Sequence, residues 1–358
     1  TNRYYQKHAI KSIGESFAER QRKALLVMAT GTGKTRTSIS LVDLLQRHGW
    51  VKRTLFLADR ISLVSQACNA FKAHLPDSSP VNLVTEKETA GRVYACTYPT
   101  MMGMIDESRD GEARFSPGHF DLIIIDEAHR SVYQRYREIF SYFDSLLVGL
   151  TATPKEDVDS NTYELFDLEY QVPTDAYELS KAVLDEYLVP RKAYQIDLKF
   201  PREGITYDTL TEHEKAKWEA VFSDDEDEEM PDKVNAAAVN SWLFNEDTVD
   251  KALQHLMENG YKVDGGDRLA KTIVFARNHD HAEFILKRFD HHYPHYAGHF
   301  AAVIDNYQKN PQAMINDFSI KDKAPHIAIS VDMLDTGIDV PEVANLVFFK
   351  PVYSKIKF

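Results

Sequence analysis

The segment Met28–Thr35 combines the residue types that bind phosphate groups. It follows an apolar run that predicts a strand and it opens a predicted helix, so its two glycines let successive backbone N–H groups converge on phosphate oxygens at the helix N-terminus. Lys34 is expected to bridge the β- and γ-phosphates of a nucleotide, and the Thr35 hydroxyl is expected to bind Mg²⁺. Met28 stands at the first position, where the full phosphate-loop motif has glycine, so the match to the motif is incomplete. The candidate nucleotide-binding residues of this loop are Thr30, Gly31, Thr32, Gly33, Lys34 and Thr35.

A second segment carries adjacent carboxylates at the end of the apolar run Leu122–Ile125. Asp126 stands where a magnesium-binding carboxylate is expected, and Glu127 is placed to orient and deprotonate an attacking water. The acidic first turn of a helix would explain the two carboxylates alone, but not their position downstream of a phosphate loop. The two segments together predict nucleoside triphosphate hydrolysis, with Lys34, Asp126 and Glu127 as catalytic candidates and Thr35 and Asp126 as metal ligands.

A third segment, Gly149–Pro154, closes the next predicted strand with Thr151 and Thr153. Their hydroxyls could connect the phosphate site to parts of the protein that move. A Thr-x-Thr-Pro sequence alone is typical of any strand that ends before a proline turn. It therefore supports the prediction only together with the other two segments.

Short apolar runs alternate with amphipathic stretches, which is typical of a parallel sheet covered by helices on both faces. The first series of predicted strands is Ala24–Ala29, Thr54–Ala58, Val93–Thr97, Leu122–Ile125 and Leu146–Leu150. The second series is Thr272–Ala276, Ala301–Ile304, Ile327–Val331 and Leu346–Phe349. We therefore predict an α/β protein with mostly parallel sheets in two domains, 1–190 and 250–358. We expect the second domain to be truncated, and we expect a polar connector, 191–249, with an acidic run at 223–229.

The composition of the 358 residues is that of a globular protein, with 43% apolar and 27% charged residues. The net charge of −13 argues against indiscriminate nucleic-acid binding. Residues 1–157, however, carry 21 Lys+Arg against 18 Asp+Glu, so a local basic groove that binds nucleic acid is not excluded. Two cysteines without a CxxC pair exclude a disulfide scaffold and favour a reducing, cytoplasmic compartment. No apolar run is long enough to span a bilayer. The first residue is threonine, so we expect a piece of a longer protein.

Taken together, the motifs resemble superfamily 2 helicases with a DEAH box, and in particular the motor of the restriction (R) subunit of type I restriction–modification enzymes. The segments that carry the resemblance are Arg3–Gln6, Val27–Thr35, Phe56–Arg60, Asp126–Ser131, Gly149–Pro154, Asn161–Phe166, Tyr187–Pro190 and Ser330–Pro341. They extend from one end of the chain to the other. Each motif is common in the superfamily, whereas their combination is more specific.

The resemblance implies two RecA-like lobes that bind ATP and Mg²⁺ between them, with double-stranded DNA across their top. It also implies partners: the methyltransferase (modification) subunit and the specificity subunit, which determines the DNA recognition sequence. The further site residues that it implies are Gln6 for adenine, Gly337 and Asp339 for the nucleotide from the second lobe, His129, Thr151 and Thr153 for coupling, and Arg60, Thr97 and Arg277 for the DNA backbone.

Two departures from the family bear on activity. These R subunits carry a nuclease domain before the motor, whereas the motor motifs here begin at Arg3, so we expect no DNA cleavage by this chain. The family places a Gln-x-x-Gly-Arg-x-x-Arg motif after the last predicted strand, and the last arginine here is Arg288. Without that transition-state charge we expect weak or no ATP turnover.

The main hypothesis is an ATP-dependent translocase on double-stranded DNA. One alternative is a strand-separating superfamily 2 helicase acting on DNA or RNA, which a wedge element would distinguish. The other is a module that binds nucleotide and DNA with negligible turnover. Stoichiometry, step size and any role of the acidic run do not follow from the sequence.

Overall fold

The computed structural model describes residues 1–86, 90–105, 108–109, 112–128, 136–190, 192–194, 246–334, 340 and 342–349. The chain divides into two compact units, Thr1–Arg191 and Lys192–Phe358, referred to below as unit 1 and unit 2. The predicted acidic run lies outside the described residues. The sequence-based boundaries at 190 and 249 stay a prediction.

Unit 1 is built around a sheet whose strands are all parallel. Its elements are α1 (Tyr4–Ala18), β1 (Lys23–Met28), α2 (Lys34–Arg47), β2 (Thr54–Ala58), α3 (Ile61–His74), a 3₁₀ turn (Pro76–Ser78), β3 (Pro80–Asn82), β4 (Val93–Thr97), α4 (Tyr98–Ile105), β5 (Ser108–Arg109), β6 (Glu112–Ala113), β7 (Leu122–Ile125), α5 (Arg137–Tyr142), β8 (Leu146–Thr151), α6 (Ser160–Leu165), β9 (Asp175–Tyr177) and α7 (Leu179–Leu184). Among the described residues the sheet has seven strands in the order β3-β4-β2-β7-β8-β1-β9, and β5 pairs with β6 in a separate antiparallel ribbon.

The sheet of unit 1 is buried on both faces because successive residues of a strand point to opposite sides. In β1, Leu26 and Met28 join a core with α1, α2 and α3, while Leu25 joins a second core with α4, α5 and α6. Each helix contributes an apolar stripe, such as Ile13 of α1 in the first core and Ile139 of α5 in the second. The prediction of a parallel sheet between two helical layers is therefore confirmed for this unit.

Unit 2 repeats the arrangement with fewer described strands. Its elements are α8 (Glu246–Asn259), β10 (Lys262–Val263), a 3₁₀ turn (Asp264–Gly266), β11 (Arg268–Leu269), β12 (Lys271–Phe275), α9 (His279–His292), β13 (Ala301–Val303), α10 (Pro311–Phe318), β14 (Ile327–Ser330) and β15 (Val343–Phe348). Strands β13-β14-β12-β15 form a parallel sheet in that order. Core residues from α8 and α9 cover one face of the sheet and those from α10 cover the other. The α/β class with mostly parallel sheets is thus confirmed in both units.

Among the described residues, no helix has the length and apolar character needed to cross a membrane.

Candidate active site

Apart from Gln6 and Thr97, the candidate residues of unit 1 lie at or just beyond the ends of four neighbouring strands, at the same edge of the sheet. In a parallel sheet the carboxyl ends of all strands lie at one edge, so the loops that leave β2, β7, β8 and β1 are neighbours there. The segments involved are 29–33 after β1, 59–60 after β2, 126–128 after β7 and 152–154 after β8. The strand order therefore gathers motifs that are far apart in the sequence.

The loop between β1 and α2 has the backbone conformation that its two glycines allow. Gly31 and Gly33 have φ angles of 81° and 88°, in the left-handed region that favours glycine. Gly33 is the N-cap of α2, and no side chain caps the helix there. Because the first N–H groups of a helix have no acceptor within it, the N-terminus of α2 offers unused donors to an anion.

Lys34 and Glu127, predicted as catalytic candidates from two separate motifs, are in direct contact. The Nζ of Lys34, at the first position of α2, lies 2.8 Å from Oε1 of Glu127, which follows β7. The side chains are only 14% and 13% exposed, so the ion pair is largely shielded from solvent. Glu127 has a φ of 54°, in the left-handed region that residues with a Cβ rarely adopt.

Asp126 lies beside this pair in a desolvated position. Burial raises the pKa of its carboxyl to about 6, and the ammonium of Lys34 opposes that rise. The neighbouring carboxylates of Glu127 and Asp59 raise the pKa further, with a backbone hydrogen bond from Glu127 opposing them. The Tyr98 hydroxyl donates to the backbone carbonyl of Asp126 at 3.5 Å. Burial raises the pKa of this hydroxyl well above 10, and the carboxylates of Asp126, Asp59 and Glu127 raise it further. This edge of the sheet is therefore rich in negative charge, which attracts cations.

Sequence reasoning missed Asp59 and Tyr98 as members of this group. Asp59 directly follows β2, and the rule that site residues follow parallel strands could have found it. Tyr98 begins α4, and its sequence context carries no comparable signal.

Thr151 and Thr153 lie at the end of β8, fully buried. The Thr153 N–H donates to the Thr151 hydroxyl at 3.0 Å, and the Ala128 N–H donates to the Leu150 carbonyl at 2.8 Å. The residue after Glu127 is thus tied to the strand that carries the two threonines. Thr162 of α6 donates to the Ala128 carbonyl at 3.3 Å. The third coupling candidate, His129, lies outside the described residues.

Gln6 of α1 is 1% exposed and contacts the β1–α2 loop. Its Nε2 donates to the Thr32 carbonyl at 2.8 Å, and its Oε1 accepts a hydrogen bond from the Thr1 hydroxyl. Tyr5 donates to the same Thr32 carbonyl, also at 2.8 Å. The structure therefore brings Gln6 and the loop together, although the role of Gln6 toward adenine stays a prediction.

The three candidates for DNA contact have different exposures. Arg60 is the N-cap of α3, its side chain is 34% exposed, and its Nε lies 3.8 Å from the Asp59 carboxylate. Thr97 is buried, and its hydroxyl shares a hydrogen bond of 2.8 Å with Thr100. Arg277 lies between β12 and α9, half-buried, in unit 2. The nucleotide-binding candidates Gly337 and Asp339 lie outside the described residues.

The donor set at this edge fits a magnesium nucleotide. An ammonium, unused helix N–H groups and glycines in the left-handed region suit phosphate oxygens, while the hydroxyl of Thr35 and the carboxylate of Asp126 suit Mg²⁺. Within the described part of the chain, no group of three or more His, Cys, Asp or Glu side chains could hold a metal ion.

Several known proteins are similar to this chain. The family model described as "Type III restriction enzyme, res subunit" matches residues 1–156. The type I restriction enzyme EcoKI endonuclease subunit of Escherichia coli (strain K12) is 27% identical over 99% of this chain and 32% of its own length. The EcoAI endonuclease subunit of Escherichia coli is 29% identical over 99% of this chain and 43% of its own length. The chain thus spans less than half the length of these curated relatives.

A solved structure is similar in fold to this chain. It is a fragment described as an HsdR subunit of a type I restriction enzyme from Vibrio vulnificus YJ016, with a TM-score of 0.65 and 23% identity over 99% of this chain and 59% of that chain. The family model is described by a type III restriction enzyme, whereas the relatives are subunits of type I restriction enzymes. Both comparisons therefore point to restriction enzymes. The resemblance stated from the sequence is confirmed: over nearly its whole length, this chain is similar to the endonuclease (R) subunits of type I restriction enzymes.

Proposed function

We propose that this chain is the ATP-hydrolysing motor of a type I restriction R subunit, and that it moves along double-stranded DNA. The observation that carries the proposal is the Lys34–Glu127 contact beside Asp126, at the N-terminus of a helix without a side-chain cap. An ammonium, a candidate base and a candidate magnesium ligand within one edge of a parallel sheet support phosphoanhydride hydrolysis. The related endonuclease subunits support the restriction context.

Each side chain has a distinct role in this proposal. ATP is the proposed substrate and supplies the phosphoanhydride bond. Lys34 and the first N–H groups of α2 bind its phosphates. Thr35 and Asp126 would hold Mg²⁺, which would neutralise phosphate charge when bound. Glu127 accepts the proton of the attacking water once its pairing with Lys34 is released. Thr151 and Thr153, at the end of β8, connect this site to parts of the protein that move.

The partners in this proposal are double-stranded DNA and the modification and specificity subunits of a restriction complex. Arg60 and Arg277, which are both partly exposed, are the proposed contacts with the DNA backbone. Thr97 stays a prediction from the family resemblance, since its side chain is buried. Such contacts position a protein on DNA without reading its sequence. Cleavage of DNA is assigned to other parts of the whole enzyme, and the cytoplasm is its proposed location.

The nucleotide part of the proposal is tested by replacing Lys34. Lys34→Ala removes the charge that binds two phosphates, so the affinity for Mg-ATP, measured by titration calorimetry, should fall at least tenfold, or about 1.4 kcal/mol. Arg47→Ala is the matched control, because it removes a positive charge from the opposite end of the same helix. Equal affinities of the two variants would refute the assignment of the phosphate loop.

The DNA part is tested by the dependence of duplex binding on salt. The few proposed phosphate contacts predict a shallow slope of log affinity against log salt and the same affinity for unrelated sequences. Arg60→Ala should weaken binding uniformly across sequences and make the slope shallower by about one. Tight, sequence-selective binding at physiological salt would contradict this part of the proposal.

A further inference from the structure

One backbone carbonyl in the β1–α2 loop accepts two buried side-chain donors. The Thr32 carbonyl lies 2.8 Å from the Tyr5 hydroxyl and 2.8 Å from Nε2 of Gln6. Tyr5, Gln6 and Thr32 are 2%, 1% and 0% exposed. Two consecutive residues of α1 therefore hold the peptide that precedes Gly33.

Both donors are themselves held in place. The Tyr5 ring stacks on Tyr177 of β9 with the ring centroids 3.8 Å apart and the planes 5° from parallel. Nη1 of Arg3 donates to the Tyr5 hydroxyl at 2.8 Å, which leaves the hydroxyl hydrogen for the Thr32 carbonyl. A bond from a charged donor polarises the hydroxyl and strengthens the bond that it donates. The Gln6 amide is used at both ends, since its Oε1 accepts from Thr1.

The direction of the Thr32 carbonyl fixes the direction of the next N–H. In a trans peptide the C=O of one residue and the N–H of the following residue point to opposite sides. Because the Thr32 carbonyl points to α1, the Gly33 N–H points away from α1. The approach is close: a Cβ on Gly33 would lie 2.6 Å from Nε2 of Gln6, and the φ of 88° already favours glycine.

We propose that Tyr5 and Gln6 are positioning residues that aim the Gly33 N–H at the phosphates of a bound nucleotide, so that their contribution to affinity is independent of the base. This inference rests on the proposed binding of nucleotide by the loop. It differs from the role that the family resemblance gives to Gln6, which is to read adenine. A residue that reads adenine affects ATP selectively, whereas one that orients the loop affects every triphosphate alike.

The test compares three ligands on variants that remove one donor each. Tyr5→Phe keeps the stacked ring and removes the hydroxyl, and Gln6→Met keeps the length and removes the amide. We expect each variant to weaken binding of ATP, GTP and inorganic triphosphate by the same factor, about 3- to 10-fold, as for the loss of one neutral hydrogen bond. Tyr4→Phe is the matched control, because the neighbouring Tyr4 hydroxyl bonds to Asp185 instead of the loop. It should leave all three affinities unchanged.

A second measurement uses the protein without ligand. In Tyr5→Phe the Gly33 amide should show a changed nuclear magnetic resonance shift and faster hydrogen exchange, which Tyr4→Phe should not cause. A loss confined to ATP would overturn the inference in favour of adenine reading, and unchanged affinities for all ligands would overturn it outright. If the unmodified chain binds no triphosphate, or binds it equally well as Lys34→Ala, the proposed function fails instead.

Discussion

Replacing Glu127 by glutamine is expected to tighten the binding of ATP. In the structure the Lys34 ammonium is paired with the Glu127 carboxylate at 2.8 Å, so phosphate oxygens must compete for that ammonium. The carboxylate also repels the incoming phosphates. Glutamine has the same shape without the charge, so both obstacles are reduced.

The burial of the pair sets the expected magnitude. Fully exposed ion pairs contribute about 0.2–1 kcal/mol, and removing one partner of a fully buried pair costs about 3–5 kcal/mol. Side chains that are 14% and 13% exposed lie between these limits. We therefore expect a gain of about 1–2 kcal/mol, which corresponds to roughly 5- to 30-fold tighter binding.

Titration calorimetry with Mg-ATP and with a non-hydrolysable analogue measures this gain. Glu138→Gln, an exposed position on α5, is the control for a change of the same type. The gain should shrink when Glu127→Gln is combined with Lys34→Ala, because the ammonium in question is then missing. If Glu127→Gln binds ATP no more tightly than Glu138→Gln, the pair does not compete with phosphate and the reasoning is refuted.

Three further predictions concern the stability of the fold. Burial lowers the pKa of Lys271 to about 8, against 10.5 in the unfolded chain. Because the unfolded chain holds the proton more tightly, the free energy of unfolding should rise by up to about 3 kcal/mol as the pH increases from 8 to 10.5. Lys271→Met should remove that rise in urea titrations. Gly149→Ala should lower the free energy of unfolding by about 1–3 kcal/mol, because the added Cβ would overlap the ring of the buried Phe166. Gly14→Ala, in open space on α1, should instead raise the free energy of unfolding by up to about 1 kcal/mol. Asn278→Ala should lower the melting temperature through the loss of about 1 kcal/mol, since its side chain caps α9, while Asn310→Ala, at an N-cap without a side-chain bond, should leave it unchanged.

Three inner strands of unit 1 could be predicted residue by residue and the inner strands β1 and β8 to within one residue at either end, whereas the edge strands were not predicted. The bounds of β2, β4 and β7 agree with the apolar runs of the sequence, because strands buried on both faces need apolar residues at every position. In contrast, β3 and β9 are three residues long and lie at the two edges of the sheet. An edge strand pairs on one side only, so its sequence carries a weaker signal.

The candidate site divides in a similar way. The proximity of Lys34 and Glu127 follows from two motifs, each of which has a known position relative to its strand. The hydrogen bond of Tyr5 to the Thr32 carbonyl does not follow from any local pattern, because it depends on how α1 packs against the loop. Asp59 is partly predictable. Its position directly after β2 can be predicted from the sequence, whereas its effect on the pKa of Asp126 depends on β2 and β7 being neighbours in the sheet.

The position of β1 in the sheet has a consequence for biosynthesis. β1 ends at Met28, but both of its neighbours, β8 and β9, are made much later, beginning at Leu146 and Asp175. A ribosome must therefore add roughly 120 residues before the first strand of the chain finds a partner, and during this time its apolar side chains are exposed on the nascent polypeptide. The loop that carries Lys34 thus acquires its native shape only after most of unit 1 has emerged. A chaperone that shields the emerging β1 segment is therefore expected to raise the yield of native protein more than one that acts on later segments of unit 1.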